Sequence, residues 1–308
     1  MRAFLFPGQG SQAVGMGASL ADASRAARDV FDEVDEALGQ NLSRLMRDGP
    51  EDELKLTENA QPAIMANSIA VLRAWGIQLP DFASFVAGHS LGEYSALCAA
   101  GSFDLATTAK LLKLRGQAMQ QAVPVGQGAM AALLGADLTL AQKIADAAAQ
   151  GEVCTVANDN DPTQVVISGH KGAIDRAIEL AKDMGAKRAL PLPVSAPFHC
   201  PLMQPAAEAM ADALSYVVLG APAVPLYANV TAQPETDPDT IRNQLVEQVT
   251  GMVRWRESVA NMFDAGVHEF VEFGGKVLGG MVKRITPDAK VTSVVTIEDI
   301  EALAKETA

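Results

Sequence analysis

Positive charge is the first thing this sequence lacks. Its 308 residues carry 24 Lys and Arg against 37 Asp and Glu, a formal net charge of −13 at pH 7. A nucleic-acid binder needs a basic face to neutralise phosphates, so that class of function is set aside. The same deficit is a difficulty for any anionic ligand, which must find a local cation or a helix N-terminus within a repelling field. Cysteine is scarce too: Cys98, Cys154 and Cys200 are the only three, far apart and without CxxC or metal-ligand spacing. That usage argues against a disulfide framework and suits a reduced, cytoplasmic setting. No run approaches the roughly 20 uncharged apolar residues of a membrane span. The opening MRAFLFPGQG breaks at Pro7-Gly8, too early for a secretory h-region. Internal repeats and low-complexity linkers are missing as well. The expectation is a cytoplasmic globular protein with neither membrane nor nucleic-acid partners.

Core-forming material, by contrast, is plentiful: 49% of the residues are apolar, enough for one large domain or a large and a small one. Residues 2–6 read as a buried strand. Helical periodicity runs through 17–47, with Leu20, Val30, Val34 and Leu38 on one side, and a second helix is expected over 61–75. An apolar strand at 82–87 leads to a helix over 93–100 that Gly101 ends, and a long helix follows at 104–122. From about 125 the rhythm changes to strand 129–134, helix 138–150, strands 154–157 and 164–168, helix 172–185 and strand 188–192. That β-α-β-β-α-β order is the split ferredoxin-like unit. Helices at 204–214, 238–248 and 255–265 then alternate with strands at 224–229 and 267–273. The fold class expected is α/β: a three-layer large domain over 1–124 and 196–308, interrupted by a ferredoxin-like small domain over 125–195.

Two glycine-rich turns carry candidate chemistry. Gly8-Gln9-Gly10-Ser11-Gln12-Ala13 follows the first strand and matches G-x-G-x-x-G/A, a dinucleotide fingerprint. Its acidic partner should close a second strand about twenty positions later, but Asp29, Asp32 and Glu33 fall within helical periodicity. No Lys-Ser/Thr completes a phosphate loop either. The plainer reading is a bent turn whose N–H groups face outward, and such groups can receive an oxyanion. Gly88-His89-Ser90-Leu91-Gly92 fits G-x-S-x-G between an apolar strand and a helix, as a nucleophile elbow requires. The elbow would aim the Ser90 hydroxyl outward, with the Leu91 N–H beside developing negative charge. The alternative is a turn with an N-capping serine.

A serine nucleophile needs a base, and the chain has four histidines: His89, His170, His199 and His268. His89 adjoins Ser90, where elbow geometry turns neighbouring side chains apart. His170 lies at a strand end of the small domain and His268 opens a strand. His199 sits in VSAPFHCP (194–201), a loop fixed by two prolines where the chain returns to the large domain. That is where a positioned base is expected, although a plain surface histidine fits the loop too. No acid between Ser90 and His199 stands at an evident strand-end turn, so the third member of a triad need not be a carboxylate. Arg115 is the most telling residue. Leu111, Leu112, Ala118, Met119 and Ala122 form an apolar stripe, and Arg115 lies along it. A buried guanidinium demands a partner: either an internal acid or a substrate carboxylate held bidentately.

Together these pieces resemble the malonyl-CoA:acyl carrier protein transacylases and the acyltransferase domains of polyketide synthases. The likeness runs through FPGQGSQ (6–12), ENAQPAI (58–64), GHSLGEYSAL (88–97) and LRGQAMQQA (114–122). It continues in VANDNDPTQVVISG (156–169), APFHCPLM (196–203) and QVTGMVRW (248–255). It implies a hydrolase-like large domain interrupted by a ferredoxin-like one. It implies Ser90 as acylated nucleophile, His199 as base and Gln248 orienting it, with Gln9 and Leu91 supplying oxyanion-hole N–H groups. Arg115 would hold the malonyl carboxylate and Gln61 would line the acyl pocket. Asn158, Asn160 and Gln164 would flank the pantetheine arm, and Phe198 matches the malonyl-selective form. The partners implied are malonyl-CoA and acyl carrier protein, with no cofactor. A free-standing chain points to fatty-acid synthesis. The carrier protein is acidic, so docking is expected on a local basic patch drawn from Lys182, Lys187, Arg188, Lys276, Lys283 and Arg284. Two departures stand out: Met252 replaces a usual proline, and Phe273-Gly274-Gly275-Lys276 lacks the proline of G-P-G-K. A serine esterase or thioesterase is the alternative enzyme, and a non-catalytic dinucleotide-binding module a third reading.

Overall fold

The computed structural model describes residues 1–307, among which ten strands form two sheets. In chain order they are β1 (Arg2–Phe6), β2 (Phe85–Gly88), β3 (Gly128–Leu134), β4 (Cys154–Asp161), β5 (Gln164–His170), β6 (Arg188–Pro191), β7 (Leu226–Tyr227), β8 (Pro234–Glu235), β9 (Glu269–Phe273) and β10 (Lys290–Val294). Six build a sheet in the order β10-β9-β1-β2-β7-β8, parallel except for the short antiparallel β8. β1 can lie at its centre because both its faces are apolar. Phe4 and Phe6 join a core with helices Arg25–Leu38, Thr57–Trp75 and Leu105–Ala122, while Ala3 and Leu5 meet helices Trp255–Asp264 and Leu278–Ile285.

The second sheet, β4-β5-β3-β6, is antiparallel at every pairing and drawn wholly from residues 128–191. Alternation along β3 explains why both its faces are apolar. Ala131 and Leu133 pack under helices Leu138–Ala149 and Lys171–Ala181, whereas Met130 and Ala132 turn towards the larger core.

Several element boundaries depart from the sequence expectation for local reasons. The stretch 17–47 is three helices, Ala18–Ala23, Arg25–Leu38 and Leu42–Asp48. Ser24 goes extended and accepts the Ala27 N–H as an N-cap, and Gly39 ends the second helix in the left-handed region. The strand expected at 82–87 starts only at Phe85, because Leu79–Phe82 makes a helical turn. The strand at 224–229 shrinks to Leu226–Tyr227, since Asn229 is taken up by the Ser90 turn. Beyond 273, helix Leu278–Ile285, β10 and helix Ile297–Thr307 complete the large sheet and its cover. No helix among the described residues is long and apolar enough to cross a membrane.

Candidate active site

The two glycine-rich turns meet because β1 and β2 pair in parallel from Ala3–Phe85 to Phe6–Gly88. Their carboxyl ends therefore lie side by side, where ligands bind open α/β sheets. The second turn is sterically forced. A Cβ on Gly88 would stand 1.9 Å from the Gly92 main chain, and one on Gly92 would stand 2.2 Å from the Phe6 carbonyl oxygen. Without those side chains the turn closes tightly enough to hold Ser90 at φ 55°, a conformation that costs a non-glycine residue energy. Asn229 holds it there, accepting the Ser90 N–H at 2.8 Å and donating to the Gly88 carbonyl at 2.7 Å. Asn229 escaped the sequence reading, since a lone amide after a short apolar strand is a weak signal.

His199 enters from the loop after β6, with its own backbone at φ 57°. Its Nε2 lies 2.8 Å from Ser90 Oγ, and its Nδ1 lies 2.8 Å from the main-chain oxygen of Gln248. A carbonyl only accepts, so Nδ1 carries the proton and Nε2 is left as the base. Burial and the nearby Arg115 charge push the His199 pKa down to about 3, which keeps the ring neutral. Gln248 thus orients the imidazole through its backbone. Its side chain is engaged elsewhere: Oε1 accepts from Arg115 at 2.8 Å, while Nε2 donates to the Ser90 carbonyl at 3.0 Å and to Glu93. The other histidines are held apart from Ser90 Oγ: His89 Nε2 meets Asn160 Oδ1 at 2.9 Å, His170 Nδ1 accepts the Val153 N–H, and His268 packs on Phe263.

Arg115 is 1% exposed, as its place on the apolar stripe required. Gly116 brings its helix against Thr57–Trp75, since a Cβ there would stand 2.5 Å from Glu58 Cα. That close approach sets Gln61 opposite the guanidinium. Arg115 donates to Gln61 Oε1 at 2.7 Å, to Ser90 Oγ at 3.1 Å and to Gln248 Oε1 at 2.8 Å, all neutral acceptors. Its buried Nε–H has no partner among the described residues. The internal ion pair weighed from the sequence is therefore not what this helix face holds. Gln61 in turn donates to Thr57 Oγ1, which donates to Gln9 Oε1 at 2.9 Å, so one chain of hydrogen bonds ties the arginine to the first glycine turn.

Ser90, His199, Arg115 and Gln61 line a cavity of about 310 Å³ between the two sheets, with Met119 and Phe198 on its wall and Met130 and Asn158 reaching it from the smaller sheet. Gln9 and Leu91 line it too, and among the described residues neither main-chain N–H has a protein acceptor. Asn160 reaches the cavity only through His89. Gln164 does not reach it: the hairpin carries it to the far end of the sheet, opposite Leu134 and Asp161. All six patch candidates are exposed, but Arg284 pairs with Asp161 at 2.8 Å and Lys283 donates to the Ala289 carbonyl at 2.5 Å. Met252 packs on the smaller sheet's core without drawing the Gln248 carbonyl from His199.

A strained serine hydrogen-bonded to a neutral histidine, with a buried cation beside the hydroxyl, defines a serine acyltransferase class of site. Residues 3–276 match the acyl transferase domain, and the chain belongs to that family. A malonyl CoA-acyl carrier protein transacylase of Escherichia coli (strain K12) is 48% identical over 284 residues, 92% of each chain. The crystal structure of an acyl-carrier-protein-S-malonyltransferase from Bartonella henselae superposes with a TM-score of 0.97 at 53% identity, covering 99% of this chain and 98% of that one. A malonyl-transacylase solved in complex with its type II PKS acyl-carrier protein superposes with a TM-score of 0.95 at 41% identity, over 99% of both chains.

Proposed function

We propose that this protein transfers the malonyl group of malonyl-CoA to the phosphopantetheine thiol of acyl carrier protein through a malonyl-Ser90 ester, supplying units for fatty-acid synthesis in the cytoplasm. The observation that carries the reading is Arg115, a fully buried cation with only neutral partners, 3.1 Å from the Ser90 hydroxyl. A buried charge with no anion in direct contact is costly, and a short acyl chain on Ser90 that ends in a carboxylate supplies a direct one. The carboxylate also offsets the Arg115 field on His199, so the base strengthens when malonyl, rather than an uncharged acyl group, is in place.

In the first half-reaction His199 Nε2 takes the Ser90 proton as Oγ attacks the thioester carbon. The main-chain N–H groups of Gln9 and Leu91 receive the oxyanion. The carbon–sulfur bond breaks, and the imidazolium returns its proton to the departing coenzyme A sulfur. In the second half the carrier thiol gives its proton to His199, attacks the ester carbon and regenerates the Ser90 hydroxyl. The coenzyme A thioester is thus a substrate, and no cofactor is invoked. Gln61 and Phe198 shape the acyl end, with Asn158 and Asn160 on the pantetheine side. The strand order supports a hydrolase-like large domain over 1–124 and 196–308 with a ferredoxin-like domain over 125–195, the cavity lying between them. The acidic carrier protein is proposed to dock on Lys182, Lys187, Arg188 and Lys276, with Lys283 and Arg284 exchanging their present partners.

Incubating the protein with malonyl-CoA, with and without carrier protein, tests this directly. Mass spectrometry should find malonyl on Ser90, discharged by carrier protein. Rapid hydrolysis instead would make it a thioesterase, and inertness would remove the enzyme reading. Ser90→Ala should acquire no adduct.

A further inference from the structure

Glu93 lies in the first turn of the helix Gly92–Ala99 that follows the nucleophile, 1% exposed. Both its oxygens receive donors: Oε1 the Asn229 N–H at 3.1 Å, and Oε2 the Gln248 Nε2. Donors on both oxygens suit an ionised carboxylate, which accepts at each. The amide of Gln248 stands between this carboxylate and the Arg115 guanidinium, nitrogen to Glu93 and oxygen to Arg115. A flipped amide would set NH₂ against guanidinium and oxygen against carboxylate, so each charge fixes the amide for the other. Asn229, also held by Glu93, is the residue that clamps the Ser90 turn.

We propose that Glu93 is the positioning residue and counter-charge of the Arg115 site: in the empty enzyme it balances Arg115 through the Gln248 amide, and it takes a proton from solvent when the malonyl carboxylate arrives. This rests on the transacylase reading and adds a charge exchange to it. With Glu93 ionised and malonyl bound, one buried cation would face two buried anions; protonation of Glu93 restores the balance. Tyr94 on the same helix feels the Glu93 charge, and the remaining titratable groups of the site are His89 before Ser90 and His199. Helices Thr57–Trp75 and Pro238–Thr250 present the neutral Gln61 and Gln248. Burial raises the Glu93 pKa to about 7, against the pull of the Asn229 N–H, Gln248 and Arg115. The exchange therefore falls in an accessible range.

By linkage, a ligand that raises a pKa binds more tightly as pH falls through it. The test measures kcat/KM for malonyl-CoA and acetyl-CoA from about pH 6 to about pH 8.5 and follows their ratio, in which the coenzyme phosphates and His199 largely cancel. The malonyl-to-acetyl ratio should rise roughly tenfold as pH falls across this range in the native chain. It should be flat in Glu93→Gln and sloped again in Glu93→Asp, a recovery that a merely structural role would not give. A flat ratio in the native chain overturns the proposal even if neither variant folds, and so does a slope that survives in Glu93→Gln. Failure of the underlying reading looks different: Ser90 would take no malonyl at any pH.

Discussion

Two carboxylates are buried at the carboxyl ends of neighbouring parts of the same sheet, and they live differently. Glu272 at the end of β9 is 0% exposed and accepts the N–H groups of Val277, Leu278 and Gly279 and the Ser293 hydroxyl. It saturates the start of helix Leu278–Ile285 and is finished with its chemistry. Glu93, after β2, has two donors and a charge it meets only through an amide. The end of β9 is satisfied, whereas the end of β2 is left partly unsatisfied: a serine in a costly conformation, and an arginine N–H and two main-chain N–H groups that find no acceptor among the described residues. Unsatisfied groups at one end of an otherwise satisfied sheet are what a substrate completes.

The contrast breaks most completely at the turn itself. Gly88→Ala puts a methyl within 1.9 Å of main chain that has nowhere to go, and the elbow that presents Ser90 should be lost. We expect malonyl transfer to fall by at least about a thousandfold, since mispositioning a nucleophile forfeits most of its catalysis. A soluble Gly88→Ala protein with near-native turnover, measured by carrier-protein malonylation, would mean the turn has slack.

Arg115→Ala comes next. Losing one partner of a buried charged contact costs roughly 2–5 kcal/mol, so malonyl transfer should fall on the order of a hundredfold, with a relative gain for acetyl. Unchanged malonyl kinetics would remove the carboxylate role.

How much of this contrast was legible beforehand follows from how local each signal is. The Ser90 turn and the burial of Arg115 are written in adjacent residues and a 3.6-residue period, so the sequence carries them plainly. Asn229 and Glu93 act through residues more than a hundred positions away, and nothing in LYANV or in the acid of GHSLGE announces that. The Gln248 contact to His199 runs through a carbonyl, and every residue has one of those. The long helical pattern at 17–47 hid two breaks because caps at Ser24 and Gly39 do not disturb an apolar stripe. Gln164 was expected beside the pantetheine arm, yet a strand carries residues away from a site at about 3.3 Å each, and six residues beyond Asn158 the hairpin has turned.

At the satisfied end, Glu272→Gln should do the opposite of Arg115→Ala. Replacing the carboxylate weakens charge-assisted bonds at a helix start, each contributing roughly 1.5–3 kcal/mol. Denaturant unfolding should therefore report lower stability, while turnover per folded molecule is unchanged. A loss of turnover without a loss of stability would place Glu272 in the chemistry and erase the distinction between the two ends.

The smallest expected effect is the absence of one. An ordinary histidine base, with a pKa near 6.5, makes acylation fail as pH falls through that value. Here burial and the Arg115 charge hold His199 down to about 3. Its neutral form, the one that takes the Ser90 proton, therefore persists well below pH 6.5. Acetyl-CoA gives the cleaner reading, since its acyl group brings no carboxylate to offset the Arg115 field. Single-turnover acetylation of Ser90 should lose no rate to base protonation between about pH 8 and about pH 5. Burial is the largest depressing cause and the Arg115 charge the next, so in Arg115→Ala the acid limb should move back towards the ordinary histidine value. A limb near pH 6.5 in the native chain would mean that water reaches His199 and screens its field, and the unsatisfied end of the sheet would then be far wetter than its burial implies.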